Sequence, residues 1–362
     1  MENPAAYFGL VIAPTRELAT QIKTHIDALG SVINVRTVLI LGGLPMMEQA
    51  KALQKNPHII IATPGRLKDH LKHTKGFHLR SLKFLVLDEA DKLLEQGFME
   101  EIIEILKVLP QERHTCLFSA TMDDKIGTLQ RASLKNPVFV SVITKKRTVQ
   151  GLVQEWALIP AKHKDHALFY LLEILHKGKR AIIFARTIRK VQELGYMLRA
   201  LHVSAIPLHS KLTQDQRNAA LGMFVRADRS ILIATDVASR GLDISGVDLV
   251  VNYNLPDTAD TYVHRVGRTA RAGRTGKAFT LVDQYEANSF LKLEKYLGSE
   301  LQQVNLPKEE IAELAASVDE AQIVATRELK AAEEKSRRKG LNGHWKRKGE
   351  KRNRQDMDKD EG

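Results

Sequence analysis

A single cysteine, Cys116, in 362 residues excludes an internal disulfide framework and suits a reducing compartment. No apolar run is long enough to span a bilayer. The opening stretch "MENPAAYFGLVIAP" has no basic flank and no clear cleavage site, so a secretory signal is not expected. Aromatic residues make up only 6% of the chain. None falls in the candidate binding loops named below, which makes base stacking a poor mode of recognition and backbone tracking a better one. The phosphate-loop pattern G-x-x-x-x-G-K-[ST] is also missing. Its nearest miss, "GRTGKAF", has the wrong spacing and carries Ala278 where Ser or Thr is required.

What is present is a globular composition, 43% hydrophobic and 27% charged, with room for two domains and a tail. The net charge of +12 suits a polyanionic partner. It is concentrated near the end, because residues 335–354 hold ten Lys/Arg against the single acid Glu350. Any site in the folded part is therefore made locally.

Short apolar runs alternate with amphipathic ones. "FGLVIA" (8–13), "HIIIA" (58–62), "FLVL" (84–87) and "TCLFSA" (115–120) read as buried strands. Leu18, Ile22, Ile26 and Leu29 form a helical stripe after Thr15, and Ile102, Ile103, Leu106 and Leu109 form another before Pro110. The alternation restarts with "RAIIFA" (180–185), "VSAIPLH" (203–209), "SILIAT" (230–235), "LVVNYN" (249–254) and "KAFTLV" (277–282). Thr213 and Gln216 make a capping-box pattern. This order predicts an α/β fold with two parallel sheets. The expected domains are 1–142 and 152–305, joined by a linker over 143–151. A helical extension over 306–334 and a basic, disordered tail over 335–362 follow.

Several loops at strand ends carry chemistry. "LVLDEAD" runs a buried strand into Asp88 and Glu89, where one acid can hold Mg²⁺ through water and the next can orient an attacking water. The competing reading is a solvated loop. "SAT" places Ser119 and Thr121 at another strand end, and taken alone it is a helix cap. In "HRVGRTARAGRTG" an Arg recurs every third residue at 265, 268, 271 and 274, with Gly267 and Gly273 between. That pattern suits phosphate better than a solvated helix face, with a generic nucleic-acid patch as the alternative. "PTRELA" (14–19), "GG" (42–43), "TPGR" (63–66) and "ATDVASRGLDI" (234–244) offer amides, hydroxyls and guanidinium groups to phosphates.

In this order the motifs resemble those of the DEAD-box RNA helicases over about residues 8 to 300. The stretch "SVDEAQIVATRELK" (317–330) and the basic tail look like the subgroup that processes pre-ribosomal RNA in the nucleolus. The resemblance implies two RecA-like domains in tandem, ATP and Mg²⁺ as cofactors, RNA as partner, with ribosome-biogenesis proteins besides, and a nuclear, nucleolar site. It implies that Asp88 holds Mg²⁺ and Glu89 activates water, and that Asp91, Ser119, Thr121, His264 and Arg265 couple hydrolysis to domain movement. Arg268 and Arg271 would reach ATP when the domains close, and Asp243 would contact the ribose. Arg16, Gly43, Thr63 and Arg66 would track RNA phosphates in the first domain, and Thr235 in the second. A DNA helicase of like architecture is the weaker relative.

The family's adenine clamp and phosphate loop precede "PTRELA", where this sequence has only "MENPAAYFGLVIA". The first domain is therefore expected to be incomplete, with an open sheet edge and exposed apolar surface, and the chain to be a fragment or a shortened product. A catalytically inactive RNA-binding chain is the alternative to an ATP-dependent helicase.

Overall fold

The computed structural model describes residues 6–120, 124–140, 151–228, 230–236, 247–270 and 275–335. These form two compact units that part between residues 140 and 151.

The first unit is built on β1 (Gly9–Ile12), β2 (Thr37–Ile40), β3 (Ile59–Ala62), β4 (Phe84–Leu87) and β5 (His114–Leu117). All pair in parallel in the order β2-β3-β1-β4-β5. Helices α1 (Arg16–Gly30), α2 (Met46–Leu53), α3 (Pro64–His73), α4 (Ala90–Glu95), α5 (Met99–Val108) and α6 (Asp124–Ser133) fill the crossovers. The alternation of side chains along each strand splits the core between the two sheet faces. Leu10, Ile12, Leu85 and Leu87 point to one face and pack with Ile102 and Ile105 of α5. Val11, Ile61 and Val86 point to the other, against Leu18, Ile22 and Ile26 of α1. Leu29, expected in the same stripe, is 83% exposed, since α1 runs past the sheet there. Thr15 caps α1 by accepting from the Leu18 N–H at 3.2 Å.

The second unit holds β6 (Leu152–Leu158), β7 (Ala181–Phe184), β8 (Ala205–Leu208), β9 (Ile231–Ala234), β10 (Leu249–Asn252), β11 (Gly276–Val282) and β12 (Gln302–Gln303). They form a parallel sheet in the order β12-β6-β11-β10-β7-β9-β8. The capping box of Thr213 and Gln216 forms as read, with bonds of 3.3 and 3.0 Å. A helix over 315–335 is part of this unit's core, because Val318, Ala321 and Ala325 are buried among Leu168, Leu194 and Leu198.

Two tandem α/β units with parallel sheets match the expected fold class. Strands β2, β6 and β12 were not anticipated, for "TVLI" sits in a weakly patterned loop-like stretch and "LVQEWAL" is only partly buried. The open edge is present. Among the described residues β5 pairs only with β4, and its side chains are half-buried or exposed where those of β1 are all buried. Phe84 and Phe118, at 49% and 57% exposure, lie beside this edge. An apolar groove of about 330 Å³ is lined by Phe8, Val11, Ile26, Ile59, Phe84 and Val86, between α1 and the strands β3, β1 and β4. No helix among the described residues is long and apolar enough to cross a membrane.

Candidate nucleotide and nucleic-acid site

Among the described residues, the candidates of the first unit fall at the carboxyl ends of strands, where an open parallel sheet presents its ligands. After β1, Arg16 opens α1. After β2, Gly43 takes φ +78, and a Cβ there would come within 2.3 Å of Arg16 Nη1. Glycine is required both by that conformation and by the guanidinium lying over it. After β3, the buried Thr63 donates its N–H to Ile40 O at 3.0 Å and sets Pro64 at the first position of α3. Arg66 of that helix donates from Nη1 to Leu44 O at 2.7 Å. Arg16, Gly43 and Arg66 are thus brought onto one loop, 41–45, with Thr63 bonded to the strand that leads into it.

After β4, Asp88 and Glu89 make a tight corner. The Asp88 N–H donates to Ile12 O at 3.0 Å, and its carboxylate accepts the Glu89 N–H at 2.9 Å. Glu89 sits at φ +48, a left-handed conformation that costs a side-chain-bearing residue about 1–2 kcal/mol. Its Oε1 accepts from Lys92 Nζ at 2.8 Å, and Lys92 is only 2% exposed. The Glu89 Oε2 is buried without a hydrogen-bond partner among the described residues. Asp91 is buried and accepts the Lys92 N–H at 3.0 Å. This is not the solvated loop that two acids at a strand end could have been. Burial first, then the neighbouring Glu89 charge, pushes the Asp88 carboxyl above its ordinary range. An anion so destabilised has a use for a cation. The described residues hold no cluster of three metal-binding side chains. One carboxylate with the remaining positions left to water and phosphate is the usual manner of Mg²⁺. The chemistry of the Asp88 carboxyl fits that ion.

The strand after β4 joins the same corner. The Ala90 N–H donates to Phe118 O at 2.9 Å, and the Phe118 N–H to Leu87 O at 2.9 Å. Ser119 follows directly. It is not the cap of α6, which begins at Asp124. Thr121 lies outside the described residues. For the nucleotide's phosphates the fit fails, because the 362 residues contain neither the glycine-rich loop nor its Lys.

In the second unit the organising residue is Arg265. Its guanidinium is 3% exposed and grips Asp236 twice, Nε to Oδ1 at 2.6 Å and Nη2 to Oδ2 at 2.8 Å. Nη1 donates to Asn252 Oδ1 at 3.2 Å and Asn254 O at 2.7 Å, and the group lies over the Phe184 ring. Arg265 therefore ties the ends of β9 and β10 to the helix Ala259–Val266. Thr235, next to Asp236, is buried, and its N–H donates to Leu208 O at 3.4 Å. Arg268 is buried two residues past that helix, and His264 is half-buried on it. The three-residue spacing of arginines does not describe a helix face, since the helix ends at Gly267. Arg271 and Asp243 lie outside the described residues. Sequence reasoning missed Lys92 and Gln49. Lys92 carried a weak signal in its place four residues after Asp88, while Gln49 had none.

A family model described as DEAD/DEAH box helicase matches residues 2–129, and one described as helicase conserved C-terminal domain matches 163–273. The chain is 54% identical over its whole length to the ATP-dependent rRNA helicase RRP3 of Coccidioides immitis, spanning 77% of that protein. It is 52% identical to the rrp3 of Aspergillus fumigatus, spanning 76%. Among solved structures it is similar to Mss116p bound to ssRNA and AMP-PNP, with TM-score 0.76 and 29% identity over 86% of this chain and 67% of that one. It is also similar to Saccharomyces cerevisiae Dbp5 bound to RNA and ADP BeF3, with TM-score 0.72 and 29% identity over 89% and 83%. The chain belongs to the DEAD/DEAH box helicase family, within the class of ATP-dependent RNA helicases.

Proposed function

We propose that this chain acts as a nucleolar RNA helicase on pre-ribosomal RNA, in the processing steps of ribosome biogenesis. The observation that carries the reading is the convergence of Arg16, Gly43 and Arg66 on one strand-end loop, at the same carboxyl edge of the sheet as the Asp88–Glu89 corner. Cations and backbone groups there suit an RNA backbone, which is tracked without reading bases. Thr63 and, in the second unit, Thr235 add hydroxyl contacts. The rRNA substrate is supported by the relatives' names, and the nucleolar location is our inference from that substrate. Ribosome-biogenesis proteins are the expected partners.

Asp88 would hold Mg²⁺, which would supply neutralisation of phosphate charge at that corner. Glu89, with one oxygen held by Lys92 and the other unpartnered, is arranged to orient a water. Asp91, Ser119 and Thr121 in the first unit, and His264 and Arg265 in the second, would couple hydrolysis to domain movement. In the resemblance's terms Arg268 and Arg271 would supply charge stabilisation to a phosphoryl group, and Asp243 would contact the ribose.

A second reading is favoured by one specific observation, the missing phosphate loop. By it the 362-residue chain holds RNA without hydrolysing ATP. Turnover by the purified chain with and without RNA, beside Glu89→Gln, separates the two. RNA-stimulated hydrolysis lost in the variant supports the helicase reading. RNA binding without hydrolysis, unchanged by the variant, supports the second.

A further inference from the structure

We propose that Gln49 is the positioning residue that sets the RNA-gripping loop 41–45. The proposal rests on the RNA reading of that loop given above. Strand β2 is the edge of its sheet. Its last residue, Ile40, turns its carbonyl toward β3, where it accepts the Thr63 N–H. Backbone groups alternate along a strand, so the N–H and C=O of Leu41 point the other way, where no strand lies. Leu41 is 4% exposed, and both groups would be buried unpaired.

Gln49 of α2 answers both. Its Oε1 accepts the Leu41 N–H at 2.9 Å, and its Nε2 donates to Leu41 O at 3.0 Å. A primary amide copies the peptide group, so one side chain stands in for the absent neighbouring strand. The same Nε2 lies 3.4 Å from both Leu44 O and Pro45 O, on the far side of the glycines. The two ends of the loop are thereby held by a single amide. Gly43 at φ +78 lies between them, with Arg16 over it and Arg66 bonded to Leu44 O.

Gln49 is itself 6% exposed, so it acts through the loop and not on RNA. Few side chains could replace it. Glu keeps the acceptor and loses the donor, Asn is one methylene short, and Met fills the volume but leaves two buried peptide groups unpaired. A purely structural glutamine would matter equally to every RNA contact of the chain, through stability. A positioning one matters to this loop alone.

The test uses the full chain and a 4-thiouridine-substituted oligouridine, with photo-crosslinks mapped to peptides and thermal melting measured in parallel. Gln49→Met is expected to cut crosslinking at 41–45 about tenfold, the scale of a lost pair of buried hydrogen bonds. Crosslinks in the second unit should hold their wild-type yield. Gln49→Glu, which keeps the volume and one of the two bonds, is expected to act in the same direction and serves if the Met variant melts early. Unchanged yield at the loop in the folded variants overturns the proposal. So does an equal loss at all sites that tracks a fall in melting temperature. Absence of any crosslink to 41–45 in the wild type instead removes the RNA reading of the loop, and this proposal with it.

Discussion

At Arg265 one side chain decides whether the ends of two strands, β9 and β10, keep their places. The guanidinium is buried, planar and matched to Asp236 by two parallel bonds, a geometry that lysine does not reproduce. Arg265→Ala leaves Asp236, Asn252 and the Asn254 carbonyl without their donor. Breaking a buried pair costs about 3–5 kcal/mol, and because Asp236 keeps 26% exposure the loss should sit near the lower end. Urea unfolding should show that loss, and Arg265→Lys should restore only a minor part of it. A variant as stable as the wild type would mean that the clamp is ornamental to the fold. The arginine series was legible as phosphate chemistry, yet burial shows Arg265 to be spent inside the unit. Spacing alone reveals charge and not direction.

The elements of the second unit are stitched by charge as well as by apolar packing. Lys164, at the start of the helix Lys164–Tyr170, is 2% exposed and bonds Glu286 at 2.6 Å and Asp283 at 2.8 Å, just beyond β11. Burial tends to raise the Asp283 carboxyl. The Lys164 hydrogen bond and charge, with the N–H groups of Tyr285 and Glu286, outweigh it and hold the carboxyl below its ordinary range. A depressed carboxyl binds fewer protons folded than unfolded. Its stabilisation is therefore full above the unfolded value near 3.8 and is lost as pH falls through the folded one. Lys164→Met is expected to cost about 3–5 kcal/mol at neutral pH. The gap between variant and wild type in thermal melts should narrow below pH 4. A gap that stays constant to pH 2.5 would contradict the pairing. In the first unit the open edge at β5 shows the opposite economy, with Phe84 and Phe118 uncovered beside a strand paired on one side only. Such edges invite association, so this region is where aggregation of the purified chain should start.

For the whole molecule, charge is distributed by segment. Residues 335–354 hold a dense basic block, ten Lys/Arg against one acid, while residues 1–334 spread a net charge of +6 over a far longer stretch. Each phosphate neutralised releases counterions, so deleting 335–362 should lower RNA affinity and flatten the dependence of log K on log salt. An unchanged slope would assign the tail to another task, such as nuclear addressing. The loops of the first unit should still crosslink RNA in the shortened chain, because their guanidinium groups are placed by the sheet and not by the tail.

The order of the chemistry-bearing loops, the fold class and the family are all legible in the linear chain. Buried parallel strands have to be short apolar runs, and the loops at their carboxyl ends have to carry the polar residues, so both stand out in a linear reading. "LVLDEAD" announced a strand and a corner for the same reason. Only the tertiary structure decided that Lys92 is buried against Glu89, that Arg265 faces inward, and that Gln49 closes the edge of β2. Those facts depend on which backbone groups are left unpaired after the sheet has formed. That is set by packing among segments far apart in the chain, which no local pattern records.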